Sequence, residues 1–254
     1  MFSGGIGSWA EAKRVAADHG TDDLILLFCD TKTEDSDLYR FITEAAADVG
    51  GELVTVAEGR DIWQVFADVK FLGTSRVDPC SRVLKREVAD RWLDRYCDPR
   101  DTVVYVGIDW TEAHRYEQLR DRKRPWRYEA PLLAPRYLTK RDMLDWLKDL
   151  GIAPPRLYGL GFAHNNCGGG CVKAGVGHFA HLYRALPEVF ASWESHEQDL
   201  RDQLGDVAIL RDRTGGVSRP LPLSALRARI DAGQQVDLFD LGGCGCFVDD
   251  EVTA

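Results

Sequence analysis

The 254-residue chain contains no apolar run close to the roughly 18 residues a membrane span needs, and no charged-then-apolar leader opens it. It has no internal repeat and no low-complexity tract, which excludes solenoids, collagen and coiled coils. It also lacks excess positive charge: 32 Lys and Arg against 41 Asp and Glu give 32 − 41 = −9. That balance argues against a general nucleic-acid coat and leaves only local basic patches open. What is present, 44% hydrophobic and 29% charged residues, suits a chain that buries a real core. One large domain is expected, or about 200 residues with an appendage. Seven cysteines (Cys29, Cys80, Cys97, Cys167, Cys171, Cys244 and Cys246) point to metal or redox chemistry rather than a disulfide scaffold. The expected class is a cytoplasmic enzyme without a membrane partner; its oligomeric state is not legible.

Helical spacing over Trp9–His19, Asp37–Val49 and Arg82–Tyr96 alternates with strand-like runs at Leu24–Cys29, Glu52–Val56 and Thr102–Ile108. Such alternation predicts an α/β fold: an open, mostly parallel sheet with helices on both faces, Rossmann-like and of HUP type. Ligands then bind at the carboxyl ends of the strands. Beyond Asp109 the texture changes. Arg115–Arg127 is basic, with Trp126 and Tyr128 beside it, and Tyr137–Gly151 reads as a helix stopped by Gly151 and the Pro154-Pro155 pair. Asn165–Gly177 is rich in glycine and cysteine, His178–Leu204 reads as two helical pieces around Pro187, and a short helix is expected near Leu223–Ala232. The division this suggests is a nucleotide-binding core at 1–155 and a cysteine-bearing lobe at 156–254.

Ser3-Gly4-Gly5-Ile6-Gly7-Ser8 stands just before a predicted helix. Glycines let the backbone approach an anion, and helix-start amides supply donors for phosphate. Three readings fit. One is a pyrophosphate loop through Ser3, Gly4, Gly5 and Ser8. Another is a dinucleotide fingerprint through Gly5, Gly7 and Ala10 with Asp30 as the ribose acid, and the third is a plain helix cap. A pyrophosphate loop predicts that Gly4→Val or Gly5→Val abolishes nucleotide binding with little change in the thermal melt. Only Met1 and Phe2 precede the loop, so the strand that would deliver it is either very short or begins upstream.

With its other motifs added, the chain resembles the adenine-nucleotide alpha-hydrolase superfamily, and within it the phosphoadenosine-phosphosulfate (PAPS) reductase-like family. The carriers are the Ser3–Ser8 loop, Phe28-Cys29-Asp30-Thr31, Cys80-Ser81-Arg82-Val83-Leu84-Lys85, Gly107-Ile108-Asp109 with Glu112 and Arg115, and Asn165–Lys173. Asp109 stands where the family often has arginine, and Cys167 and Cys171 are spaced Cys-x3-Cys where reductases have Cys-x2-Cys. The resemblance implies ATP or a sulfonucleotide as ligand, with Mg2+ beside ATP. Ser3, Gly4, Gly5, Gly7, Ser8, Asp30, Thr31 and Gly107 would form the nucleotide site.

Thiolates suit an iron–sulfur cluster or zinc. The resemblance implies a [4Fe-4S] cluster, with Cys80, Cys167, Cys171 and Cys244 as the expected ligands and zinc as the alternative. Cys246 would be the reactive thiol, and Cys29 and Cys97 read as core packing. Lys85 and Arg115 are assigned to the reacting groups. Lys173, Arg82, Arg211 and Arg213 either hold phosphate or sulfate oxygens or lie on solvated faces. His164 and His178 flank the cysteine segment as hydrogen-bonding neighbours or ligands. The Arg120–Arg127 run either meets single-stranded nucleic acid or is a solvated loop. The expected function is ATP-dependent adenylation coupled to sulfur transfer, with a protein or small-molecule sulfur donor and a nucleic acid among the possible acceptors. A PAPS or adenylylsulfate reductase, and a non-catalytic cluster or nucleotide sensor, are the alternatives.

Overall fold

A computed structural model of the chain describes residues 1–213 and 216–243. Cys244 and Cys246, and with them the fourth ligand and the reactive thiol expected above, lie outside the described residues. The architecture is mixed α/β, with helices dominating and short strands paired two by two. In chain order the first elements are α1 (Ile6–His19), β1 (Ile25–Asp30), α2 (Ser36–Val49), β2 (Glu52–Ala57) and α3 (Ile62–Asp68). Next come α4 (Pro79–Ser81), a π-helical turn (Arg82–Arg86) and α5 (Glu87–Tyr96). β3 (Val103–Tyr105), α6 (Ala113–Arg122), β4 (Arg127–Glu129), α7 (Lys140–Asp149) and α8 (Arg156–Gly159) follow. A 3-10 turn (Cys167–Gly169), α9 (Val176–Ala185), α10 (Pro187–Leu204), β5 (Leu210–Asp212), β6 (Arg219–Leu221) and α11 (Leu223–Asp231) come last, and two more 3-10 turns lie earlier at Trp110–Glu112 and Pro131–Leu133.

β1 and β2 pair in parallel from Ile25 opposite Glu52 to Asp30 opposite Ala57, and β3 and β4 pair in parallel from Val103 opposite Arg127. β5 and β6 pair antiparallel, from Leu210 opposite Leu221 to Asp212 opposite Arg219. Between the two parallel pairs lies the start of the chain: Phe2 N donates to Leu27 O at 2.8 Å and Met1 N to Tyr105 O at 2.7 Å. Phe2 is 2% exposed, so these two residues occupy an interior slot.

The strand expected over Thr102–Ile108 is shorter than its apolar pattern. The paired register ends at Tyr105, with Val106 N still donating to Glu129 O at 2.9 Å; Ile108 N then turns back onto Val106 O at 2.8 Å, where Gly107 passes against the start of α1. Two helices escaped the pattern. α3 is opened by a capping box between Asp61 and Gln64, and α6 occupies most of the basic stretch, burying only Leu119.

One core cluster packs Phe2, Ile6 and Trp9 against Leu38, Phe41 and Ile42 of α2 and Met143 and Leu147 of α7. A second joins Val65, Phe66, Val83 and Leu84 to Phe179, Phe190, Trp193 and Leu226, so side chains from before residue 155 and after it share one interior.

Candidate functional site

The glycine loop is shaped by backbone conformation and by one serine. Gly4 has φ +75°, and a Cβ there would sit 2.9 Å from Leu38 Cγ in the core. Only glycine meets both conditions without strain. Gly4→Val is therefore expected to disturb the fold as well as the loop, which corrects the expectation of an unchanged melt. Gly5, at φ −90°, opens α1 without a side-chain cap. The Ser8 hydroxyl donates to Gly5 O at 2.9 Å and accepts from Ser3 N at 3.2 Å. Ser8 is thus spent on locking the loop, while Ser3 is exposed. Gly107 approaches so closely that a Cβ would lie 2.9 Å from Ser8 N, which places the end of β3 against the loop as its motif suggested.

The first helical amide of the loop already has an oxygen partner: Ile6 N donates to the Tyr158 hydroxyl at 3.1 Å. No sequence motif flagged Tyr158. It sits on α8, which is clamped when Arg156 reaches Asp35 at 2.7 and 2.8 Å.

Asn165 joins the loop to the cysteine segment. Its Nδ2 donates to Gly4 O at 2.8 Å, and its buried Oδ1 has no hydrogen-bond partner among the described residues. Two residues on, Cys167 takes a left-handed conformation at φ 49°, followed by Gly168 at 63° and Gly169 at 94°. That tight turn presents Cys167 to a small cavity lined also by Thr31, Asp78, Cys80, Lys85, Cys171 and Lys173. The structure thus brings three of the expected ligands, Cys80, Cys167 and Cys171, to one cavity with Thr31 and Lys85. The cavity has room for about one water molecule.

Glu34 organises this cavity, and sequence reasoning missed it. Its side chain is 2% exposed; Oε2 accepts from Cys167 N at 2.8 Å and Oε1 from the Thr31 hydroxyl at 3.0 Å. The Lys85 ammonium lies 3.4 Å from Oε1. The one available signal was a polar run, Asp30–Asp35, directly after a buried strand. The hydrogen bond to Cys171, then burial, then the Glu34 charge hold the Cys167 thiol well above the ordinary thiol range. Burial likewise pushes Cys29 up to about 11, in keeping with its place in the core.

Other expected site residues are engaged elsewhere. Asp30 Oδ1 accepts from Lys32 N at 2.8 Å and from the Tyr39 hydroxyl at 2.9 Å. Arg115 is paired with Glu112 at 2.5 Å on α6, and Arg82 is more than half exposed beside Glu87. Arg211 bonds Ser218.

Thiols around one cavity are the right donor chemistry for a thiophilic metal. Among the described residues no group of three or more His, Cys, Asp or Glu is close enough to hold an ion. The described thiols thus do not close a site by themselves. No helix among the described residues is long and apolar enough to cross a membrane. No family model and no curated protein matches the chain.

Proposed function

We propose that the chain is an adenine-nucleotide-binding enzyme of sulfur chemistry, an ATP pyrophosphatase whose adenylating step feeds a sulfur transfer. The observation that carries this reading is Asn165. Its amide ties the Ser3–Ser8 loop to the segment whose cysteines share a cavity with Thr31 and Lys85. Nucleotide and sulfur chemistry then have one hinge point between them. The sheet supports the same reading. With Met1 and Phe2 as a central strand, the order is β2, β1, Met1–Phe2, β3, β4, and the glycine loop leaves the carboxyl end of the middle strand. The full Rossmann-like sheet belongs to this proposal.

In the proposed reaction ATP, carried with Mg2+, lays its phosphates along the amides that open α1. An acceptor oxygen attacks the α-phosphorus, the α–β phosphoanhydride bond breaks, and pyrophosphate leaves. A sulfur nucleophile then attacks the activated acceptor atom, and its bond to AMP breaks. Lys85 steadies negative charge at the thiol cavity. The metal proposed is a [4Fe-4S] cluster, or zinc as the alternative, which Cys80, Cys167, Cys171 and Cys244 would hold; the water-sized cavity between the three described thiols would have to widen to admit the cluster. Bound there, it would supply a soft site for sulfur. Gly243 N donates to Lys173 O at 3.1 Å, which anchors the chain beside Cys171 one residue before Cys244.

The two lysines favour one rival. Lys85 and Lys173 line the thiol cavity, and ammonium groups beside thiols suit a sulfate ester. In a sulfonucleotide reductase a thiolate, Cys246 in this reading, attacks the sulfate sulfur, the S–O bond to phosphate breaks, and the adenosine phosphate leaves.

The test is anaerobic purification of the full chain, metal and sulfide analysis, and turnover of ATP against sulfonucleotides. Release of AMP and pyrophosphate from ATP supports the primary reading. Turnover of a sulfonucleotide alone replaces it with the reductase, and turnover of neither leaves a sensor. Cys167→Ser or Cys171→Ser should remove the metal, and Cys29→Ser should not.

A further inference from the structure

A second cavity, of about 240 Å3, lies behind the cysteine segment. It is lined by Phe162, Asn166, Cys171, His178, His181 and Gly242 among others, and Cys171 belongs to the walls of both cavities. Its chemistry differs from that of the first. His178 Nε2 stands 2.7 Å from Gly169 O and His181 Nε2 stands 2.8 Å from Leu160 O. A carbonyl only accepts, so each Nε2 carries a proton, and in a neutral ring so bonded Nδ1 is the acceptor. Burial lowers the His178 pKa and so favours the neutral ring. Phe162 packs edgewise on both imidazoles, with centroids 5.5 and 4.6 Å away, and fixes their planes.

We propose that this cavity binds a small, planar, uncharged heterocycle that offers N–H donors, the chemistry of a nucleobase-like ring. The Nδ1 atom of a neutral imidazole held in this way is an acceptor, which rewards N–H and repels carboxylate or phosphate oxygen. Phe162 and the imidazole faces suit a flat ring better than a branched aliphatic group. The volume admits a ring with a few substituents and excludes a polymer. Lys140, whose ammonium bonds Ala163 O, places a cation beside this loop, so preference for a flat anion is one outcome of the test.

The site shares Cys171 with the proposed sulfur chemistry but takes no part in the adenylation, so its test reads binding and not turnover. The probe is 2-aminopyrimidine, with pyrimidine as the same ring lacking N–H donors and benzoate as a flat anion. Chemical shifts of the histidine ring nitrogens are followed in the full chain. 2-Aminopyrimidine should move the Nδ1 signals of His178 and His181, and pyrimidine should bind about fivefold more weakly. His178→Gln and His181→Gln place an amide donor where Nε2–H stood and delete the Nδ1 acceptor. Each should weaken 2-aminopyrimidine about fivefold, with the thermal melt checking that the fold persists. Equal binding of the two pyrimidines, preference for benzoate, unmoved Nδ1 signals, or undiminished binding in both folded variants would each overturn the proposal.

Discussion

The Glu34 carboxylate and the Cys167 amide are joined by a 2.8 Å hydrogen bond across 133 residues of sequence. The bond reaches from the end of a buried strand to a left-handed turn that glycines make possible. The same carboxylate faces Lys85, whose side chain is 9% exposed.

Glu34→Ala should therefore cost about 3 kcal/mol in urea unfolding, the scale for removing one partner of a buried ion pair. Glu34→Gln should cost less, because an amide oxygen still accepts from Cys167 N. A loss below about 1 kcal/mol in the alanine variant would mean that Lys85 finds its counter-charge elsewhere.

Gly4 and Gly5 should part company under substitution. Gly4→Ala forces a side chain into φ +75° against Leu38 and should cost at least about 1–2 kcal/mol. Gly5→Ala, at φ −90° with 3.6 Å to the Tyr158 oxygen, should melt close to the wild type. Nucleotide binding by Gly5 variants is thus the clean test of the loop. Thermal melts of the two alanine variants check the difference directly.

Tyr158→Phe frees the Ile6 amide that the hydroxyl now holds. If phosphate takes that place, ATP should bind a few-fold more tightly, the worth of one exchanged hydrogen bond. Titration calorimetry of the variant decides it, and weaker binding would make the hydroxyl a contact to the ligand.

Glu11 is 2% exposed, and neither carboxylate oxygen has a hydrogen-bond partner among the described residues. Burial raises its pKa from 4.5 to about 8. Between those values the folded chain keeps a proton that the unfolded chain has released. Its contribution to stability is full below pH 4.5, falls as pH rises through that window, and is flat above pH 8. Glu11→Gln should remove the slope, and its gain over wild type from pH 5 to pH 9 should be on the order of 4 kcal/mol. Urea midpoints at the two pH values measure it.

Elements with strong local punctuation were legible in the sequence. α2 ends at Val49, where its spacing ended, and Pro187 opens α10 after α9, as the expected break there announced. α6 was hidden because Leu119 is its one buried residue, too little to show a period. The gathering of Cys80, Cys167 and Cys171 on one cavity followed from their chemistry. Glu34, Tyr158 and the unpaired face of Asn165 did not, because their partners, Thr31 apart, lie 51 to 161 residues away or are missing among the described residues. No local pattern encodes such a meeting.

The position of Cys171 in the walls of both cavities has a consequence for handling the protein in air. Oxidation to the sulfinic acid adds oxygens and a fixed charge to one sulfur. The smaller cavity has no spare volume for them, and the larger, which His178 and His181 also line, would gain an anion. One oxidised atom would then spoil two compartments together. Loss of 2-aminopyrimidine binding should therefore track the oxidised fraction seen by mass spectrometry at Cys171, and preparations kept under reductant should hold both.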